Sequence, residues 1–195
     1  MSHPSDPRVL ALHGLRIKGF GTAEVLADAT GLDAEDVQRQ LTALMEAGLV
    51  QHREGGAISG FSLTPAGREE HAQLLARELD SSGARPTIER CYRQFLALND
   101  DVLALCTAWQ LHTIVDRDAI DRLTELDERA QSICADLAAE LERMARYGRR
   151  LRHACDQVQA GRRDYFTAPM IASYHTVWFE LHEDLLATLG IARAS

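Results

Sequence analysis

His175 and His182, seven positions apart, are the first candidates for chemistry. On a helix they share a face with Phe179, at i, i+4 and i+7. Two helical turns hold the rings too far apart to chelate one ion unaided. A metal would need a further ligand such as His112 or Glu183, so no metal and no cofactor is expected. Cys91, Cys106, Cys134 and Cys155 are widely spaced, with no C-x-x-C pair, and each lies among apolar helical positions. They read as buried, reduced thiols. Asp100-Asp101 and Glu183-Asp184 are adjacent on helical patterns, so their side chains diverge and they form no acid–base pair. Phosphate-cradling glycine loops, nucleophile elbows, H-E-x-x-H and a strand-rich α/β pattern are all missing from the sequence, and no enzyme activity is expected.

Two further groups could bind rather than react. Arg143, Arg146, Arg149, Arg150, Arg152, Arg162 and Arg163 are set against only Asp156 between positions 143 and 163. They suit a solvated helix face paired with nearby acids, or a contact to phosphate or another anion. Trp109, Tyr174, His175 and Trp178 could line an effector pocket by stacking and hydrogen bonding, or serve as core and dimer packing.

The 195 residues fit one large domain or two small ones, and 46% hydrophobic with 26% charged residues suits a soluble globular chain. The opening MSHPSDPRV is polar and proline-broken, unlike a secretory leader, and no apolar run reaches membrane-spanning length. A cytoplasmic, nucleoid-associated location is expected. The net charge of −8 excludes a general coat for polyanions, though not a reader of one specific site.

The elements that must position these residues divide near Asp80–Pro86, where small and turn-forming residues predict a linker over 81–86 between units 1–80 and 87–195. Before it, helices are predicted over Arg8–Ile17, Ala23–Ala29 and Asp33–Ala47, with Thr22 and Asp33 as N-caps and Gly48 as a C-terminal stop. Leu49–Arg53 and Ile58–Leu63 read as a hairpin around Glu54-Gly55-Gly56. Thr64-Pro65 restarts helix as far as Leu79. After the linker the pattern is helical throughout: Thr87–His112, Asp118–Ala160 with a kink or break at Tyr147-Gly148, and Pro169–Leu189. The fold class is therefore mainly α: a small unit with a two-stranded wing, then a unit of long amphipathic helices that bury their stripes against each other or a second subunit.

At residue level the first unit resembles winged helix-turn-helix regulators of the MarR-like and PadR-like type. Thr30-Gly31-Leu32, the stripe Val37, Leu41 and Leu44, and Glu46-Ala47-Gly48-Leu49-Val50 match the passage from recognition helix into wing. Phe61-Ser62-Leu63-Thr64-Pro65-Ala66-Gly67 matches the aromatic-x-Leu-Thr-x-x-Gly junction after it. The resemblance covers residues 8–80. The layout, with a separate helical unit behind, is closer to the PadR type, although the first helix lacks that group's usual signature.

The resemblance implies a homodimer presenting two winged helices to a palindromic double-stranded DNA site, with the helical unit dimerising and open to a small-molecule effector. By position it assigns Gln38, Arg39 and Thr42 to the major groove, Arg53 and the tip Glu54-Gly55-Gly56 to the wing, and Arg16 and Lys18 to phosphates. One departure stands out. Asp33, Glu35 and Asp36 open the reading helix, and residues 1–80 carry seven Lys and Arg against twelve Asp and Glu, a net of −5. That stabilises a helix N-terminus at the expense of attraction to phosphate. The alternative implied by this acidity is an interaction module or accessory subunit that docks a protein.

Overall fold

Asp6, Thr22, Asp33 and Thr64 each stand in extended backbone, and each accepts a hydrogen bond from a main-chain N–H two or three residues on. These caps start the first four helices of the computed structural model, which describes residues 2–55 and 58–192. The helices are α1 (Pro7–Lys18), α2 (Ala23–Thr30), α3 (Ala34–Glu46) and α4 (Pro65–Ser82). Between α3 and α4 lie β1 (Val50–Gly55) and β2 (Ile58–Leu63), an antiparallel pair in which Val50 faces Leu63 and Arg53 faces Gly60. The chain is thus mainly helical with a small two-stranded sheet.

The chain divides into two compact units, Pro4–Gly83 with Leu186–Ser195, and Met1–His3 with Ala84–Leu185. In the first unit, α1, α2 and α3 turn their apolar stripes inward around Leu12, Leu15, Leu26, Val37 and Leu41, and Val50 and Leu63 close the cluster from the hairpin. Thr64 ties the two ends of the hairpin together. Its hydroxyl donates to the Gly48 and Leu49 carbonyls (2.8 and 3.1 Å) while its oxygen caps α4 at Gly67 N. Gly67 lies so close to the Leu49 backbone that a Cβ there would land on the Leu49 carbonyl oxygen. Gly21 pairs with Phe61 on the free edge of β2, by hydrogen bonds of 2.8 and 3.2 Å. In the sequence that stretch is only the gap between two predicted helices.

The second unit comprises α5 (Arg85–Gln110), α6 (Asp116–Glu140), α7 (Ala145–Gln159), α8 (Asp164–Thr167) and α9 from Tyr174 to Leu185, the helix itself running to Leu189. Three expectations need correcting. No six-residue linker exists at 81–86: α4 continues to Ser82 and α5 starts at Arg85. Ser81 and Ser82 hydroxyls bond back to the Glu78 and Leu79 carbonyls, so these residues finish the helix rather than leave it.

The long helix predicted over 118–160 breaks at Leu141, not at Tyr147-Gly148. Leu141 is extended (φ −122°, ψ 118°), and a 3-10 turn spans Glu142–Met144. His3 fills the gap, donating to the Glu140 carbonyl (2.7 Å) and accepting from Glu142 N (3.0 Å). Gly148 sits inside α7, where its missing side chain lets α6 approach; a Cβ would stand 3.1 Å from Gln131 Oε1 and 3.2 Å from Cys134 Cβ. Finally, α9 begins at Tyr174, and residues 169–173 precede it as turns.

Candidate functional site

Helix α3 is two-faced. Val37, Leu41 and Leu44 are buried, while Glu35, Gln38, Arg39 and Thr42 are exposed. The three residues assigned to a groove therefore do share one outward surface, 3.6 residues per turn bringing 35, 38, 39 and 42 together. Gly31, in the left-handed region at φ 80°, ends α2 and turns the chain into α3. The N-termini of α2 and α3 flank an open hollow of about 380 Å³, lined by Ala23, Glu24, Ala34, Glu35, Gln38 and Arg39.

The electrostatics of that surface are mixed. Arg39 is ion-paired to Asp36 one turn earlier on the same helix. Asp36 also has its main-chain N–H bonded to the Asp33 cap at 2.8 Å. Glu24 has its pKa lowered by a hydrogen bond with Thr22, so it stays charged in the hollow. The Thr42 hydroxyl donates to the Gln38 carbonyl at 3.0 Å, leaving its oxygen to accept. Sequence reasoning missed the Asp36–Arg39 pair, although acid and base three apart on a helix is its signal.

The remaining assigned residues lie apart from α3. Arg53 is exposed on β1. Glu54 is exposed beside it, its carboxylate 3.6 Å from His52 Nδ1. Gly55 ends β1, and Gly56 lies outside the described residues. Arg16 and Lys18, at the end of α1, are half-buried, and each already interacts with another group of the chain.

In the helical unit the arginine cluster resolves into ion pairs whose acidic partners the sequence reading did not name. Arg143, Arg146 and Arg150 lie along one side of the 3-10 turn and α7. They meet Asp184 and Glu180, four apart on α9: Arg143 pairs with Asp184, both side chains fully buried, and Arg150 reaches Glu180 at 2.6 Å. Arg146 stands 4.0 Å from Asp184, and Tyr147 Oη donates to the same carboxylate at 2.8 Å. Arg152 pairs with Asp127 at 3.0 Å, and Arg163 with Asp116. Arg149 and Arg162 are exposed. So the larger part of the cluster is paired with acids, as one of the two sequence readings has it, but Arg143 is buried rather than solvated. The readable signal was the match of spacings, 143-146-150 against 180-184.

Trp109, Tyr174 and Trp178 are buried, and His175 is half-buried. Trp109 packs on Phe166 (4.7 Å) under the Arg163 guanidinium (4.2 Å), whereas Trp178 stacks on Phe95 (4.3 Å) and donates to Asn99 Oδ1 at 3.1 Å. The rings belong to two packing clusters. His182 stacks on Tyr92, and His112 occupies the turn after α5 at φ 53°. Among the described residues no three of His, Cys, Asp and Glu are placed to hold a metal.

All four cysteines are buried. Burial pushes the Cys106 and Cys134 thiols up to about 12 and Cys155 to about 11, which leaves them protonated and poor nucleophiles.

Asp127, buried on α6, has its pKa raised above the ordinary 3.8 by burial, against the Gln131 hydrogen bond and the Arg152 charge. The folded protein then holds this proton where the unfolded chain has lost it. Stability must fall as pH rises from that ordinary value through the raised one, with no recovery above it. Asp127→Asn keeps an oxygen for Gln131 and should flatten stability against pH across this acidic window. Urea unfolding at several pH values reads it, and a slope equal to that of the unmodified protein contradicts it.

Among the described residues no helix is long and apolar enough to cross a membrane. Compared with protein-family models, curated proteins and solved structures, the chain matches none.

Proposed function

We propose that this protein is a sequence-specific DNA-binding regulator of the winged helix-turn-helix type, acting as a homodimer on a palindromic double-stranded site. The observation that supports it is the α2–turn–α3 pair, with Gln38, Arg39 and Thr42 on one exposed face of α3 and a short hairpin directly behind it. A helix so held can enter a major groove with those side chains toward base edges, glutamine suiting adenine and arginine guanine. Two copies double the contacts that one such unit makes. The helical unit supplies the means of pairing. Cytoplasmic, nucleoid-associated action fits this role.

A second reading is favoured by one specific observation. The pairing of Asp36 with Arg39, beside Glu24 and Glu35, gives the hollow an acidic rim suited to a basic protein segment.

Fluorescence anisotropy with the gene's own upstream DNA and a scrambled control, at two salt concentrations, separates the two. Tighter binding to the native fragment, weakening with salt, supports the regulator. Equal weak binding to both fragments rejects it. Arg39→Ala should then weaken native binding by roughly 10- to 100-fold, the worth of one good base contact, and relax preference at one base pair. Asp36→Asn should strengthen it a few-fold by releasing Arg39 and removing a charge facing phosphate. A docking module would show neither change on DNA.

A further inference from the structure

We propose that the outer face of α5 is the surface through which two copies of this chain associate, antiparallel about a two-fold axis passing between Leu96 and Ala97. This deepens the homodimer reading above and rests on it, but not on DNA binding.

Helix α5 carries two lines of residues at alternating spacings of three and four. One, from Ile88 through Phe95, Leu98, Val102 and Leu105 to Trp109, is buried within the unit. The other, Arg93, Leu96, Asp100, Leu103 and Thr107, faces outward. Leu96 and Leu103 are each 42% exposed on it. Ala97 and Ala104, exposed beside them, are small enough for a second helix to come close. On α9, His182 stacks on Tyr92 at 6.2 Å beside this face.

The charges identify the occupant. Arg93 lies three residues before Leu96, and Asp100 lies three residues after Ala97. An antiparallel copy centred between 96 and 97 therefore sets Arg93 opposite the second copy's Asp100, and Asp100 opposite its Arg93. Among the described residues neither has an ion-pair partner within the chain. Arg90 and Asp101, just off the line, are already matched, to Asp136 at 2.8 Å and Arg129 at 3.9 Å. An isologous interface requires this self-complementary spacing, which a foreign partner would not.

Charge exchange tests it. Sedimentation velocity at micromolar concentration, without DNA, should give the unmodified protein as a dimer of the 21.6 kDa chain. Arg93→Asp alone, or Asp100→Arg alone, sets like charges together twice per dimer and should weaken association by at least 10-fold at low salt. Mixing the two single variants restores both opposite-charge pairs and should restore the dimer, as should Arg93→Asp with Asp100→Arg in one chain. A monomeric unmodified protein, single variants that dimerise unchanged, or a mixture no tighter than its components each overturn the proposal. A charge-sensitive dimer that ignores DNA would instead sink the regulator reading and leave this face standing. An operator-binding dimer indifferent to both reversals would do the opposite.

Discussion

Asp184→Ala is expected to destabilise the helical unit by about 3–5 kcal/mol, the usual loss when one partner of a buried ion pair is removed. The Arg143 guanidinium, with no exposed surface, would lose the carboxylate it pairs with, and Tyr147 Oη would lose its acceptor. Native domains stand only about 5–15 kcal/mol above their unfolded states, so the fall should be visible as a lower melting point and urea midpoint. The reporter is built in: the chain has two tryptophans, Trp109 and Trp178, both in the helical unit, so their fluorescence follows that unit alone. Arg150→Ala should cost less than this, because Arg150 keeps 18% of its side chain in water, but Glu180, 6% exposed, is left buried and the loss should still be measurable. Replacing both partners, Arg143→Met with Asp184→Leu, should recover part of the loss, since the Arg143 charge is then gone, while Arg146 and Tyr147 Oη still lose the Asp184 carboxylate. A loss below about 1 kcal/mol for Asp184→Ala would mean that the pair is not shut away from solvent as described.

The second large effect lies at Gly67. A methyl group there has no room, because its nearest neighbour is the Leu49 carbonyl, held in place by Thr64 from two sides. A backbone atom cannot swing aside as a side-chain tip can. Gly67→Ala should therefore cost roughly 3 kcal/mol, the upper end for overpacking, and act on the unit that carries the hairpin. No tryptophan lies in Pro4–Gly83, so the two reporters should separate: the far-ultraviolet circular dichroism midpoint should fall more than the tryptophan midpoint. Any DNA binding should weaken too, since the hairpin and α4 lose their fixed relation. An unchanged circular dichroism midpoint would reject the close approach.

Both sites show what a sequence does and does not disclose. Elements whose limits are set locally were legible: Thr22, Asp33 and Thr64 cap helices where their side chains predict, and β2 spans the expected Ile58–Leu63. Limits set by distant backbone were not. Leu141-Glu142-Arg143 consists of good helix formers, and the chain leaves the helix there where His3, more than a hundred residues away, pairs with it. Gly148 carries the residue type of a break and instead marks a close crossing. The outward set on α3 could be read from periodicity, because burial of Val37, Leu41 and Leu44 forces Gln38, Arg39 and Thr42 outward. The arginine cluster could not, because its meaning depended on which helix came opposite. Only the spacing match with Glu180 and Asp184 could have shown it.

The partition of the chain bears on how this protein can be cut and recombined. A boundary chosen at Gly83 looks like a natural seam for a chimaera, yet the backbone passes from one unit to the other three times: after His3, after Gly83 and within α9 after Leu185. A cassette of residues 84–195 carries no donor for the Glu140 carbonyl where His3 N stood. A cassette of residues 1–83 takes His3 away with it and lacks the segment after Leu185. Exchange of the Pro4–Gly83 unit for another, by gene fusion in the laboratory or by recombination in a genome, would need matched junctions at all three crossings.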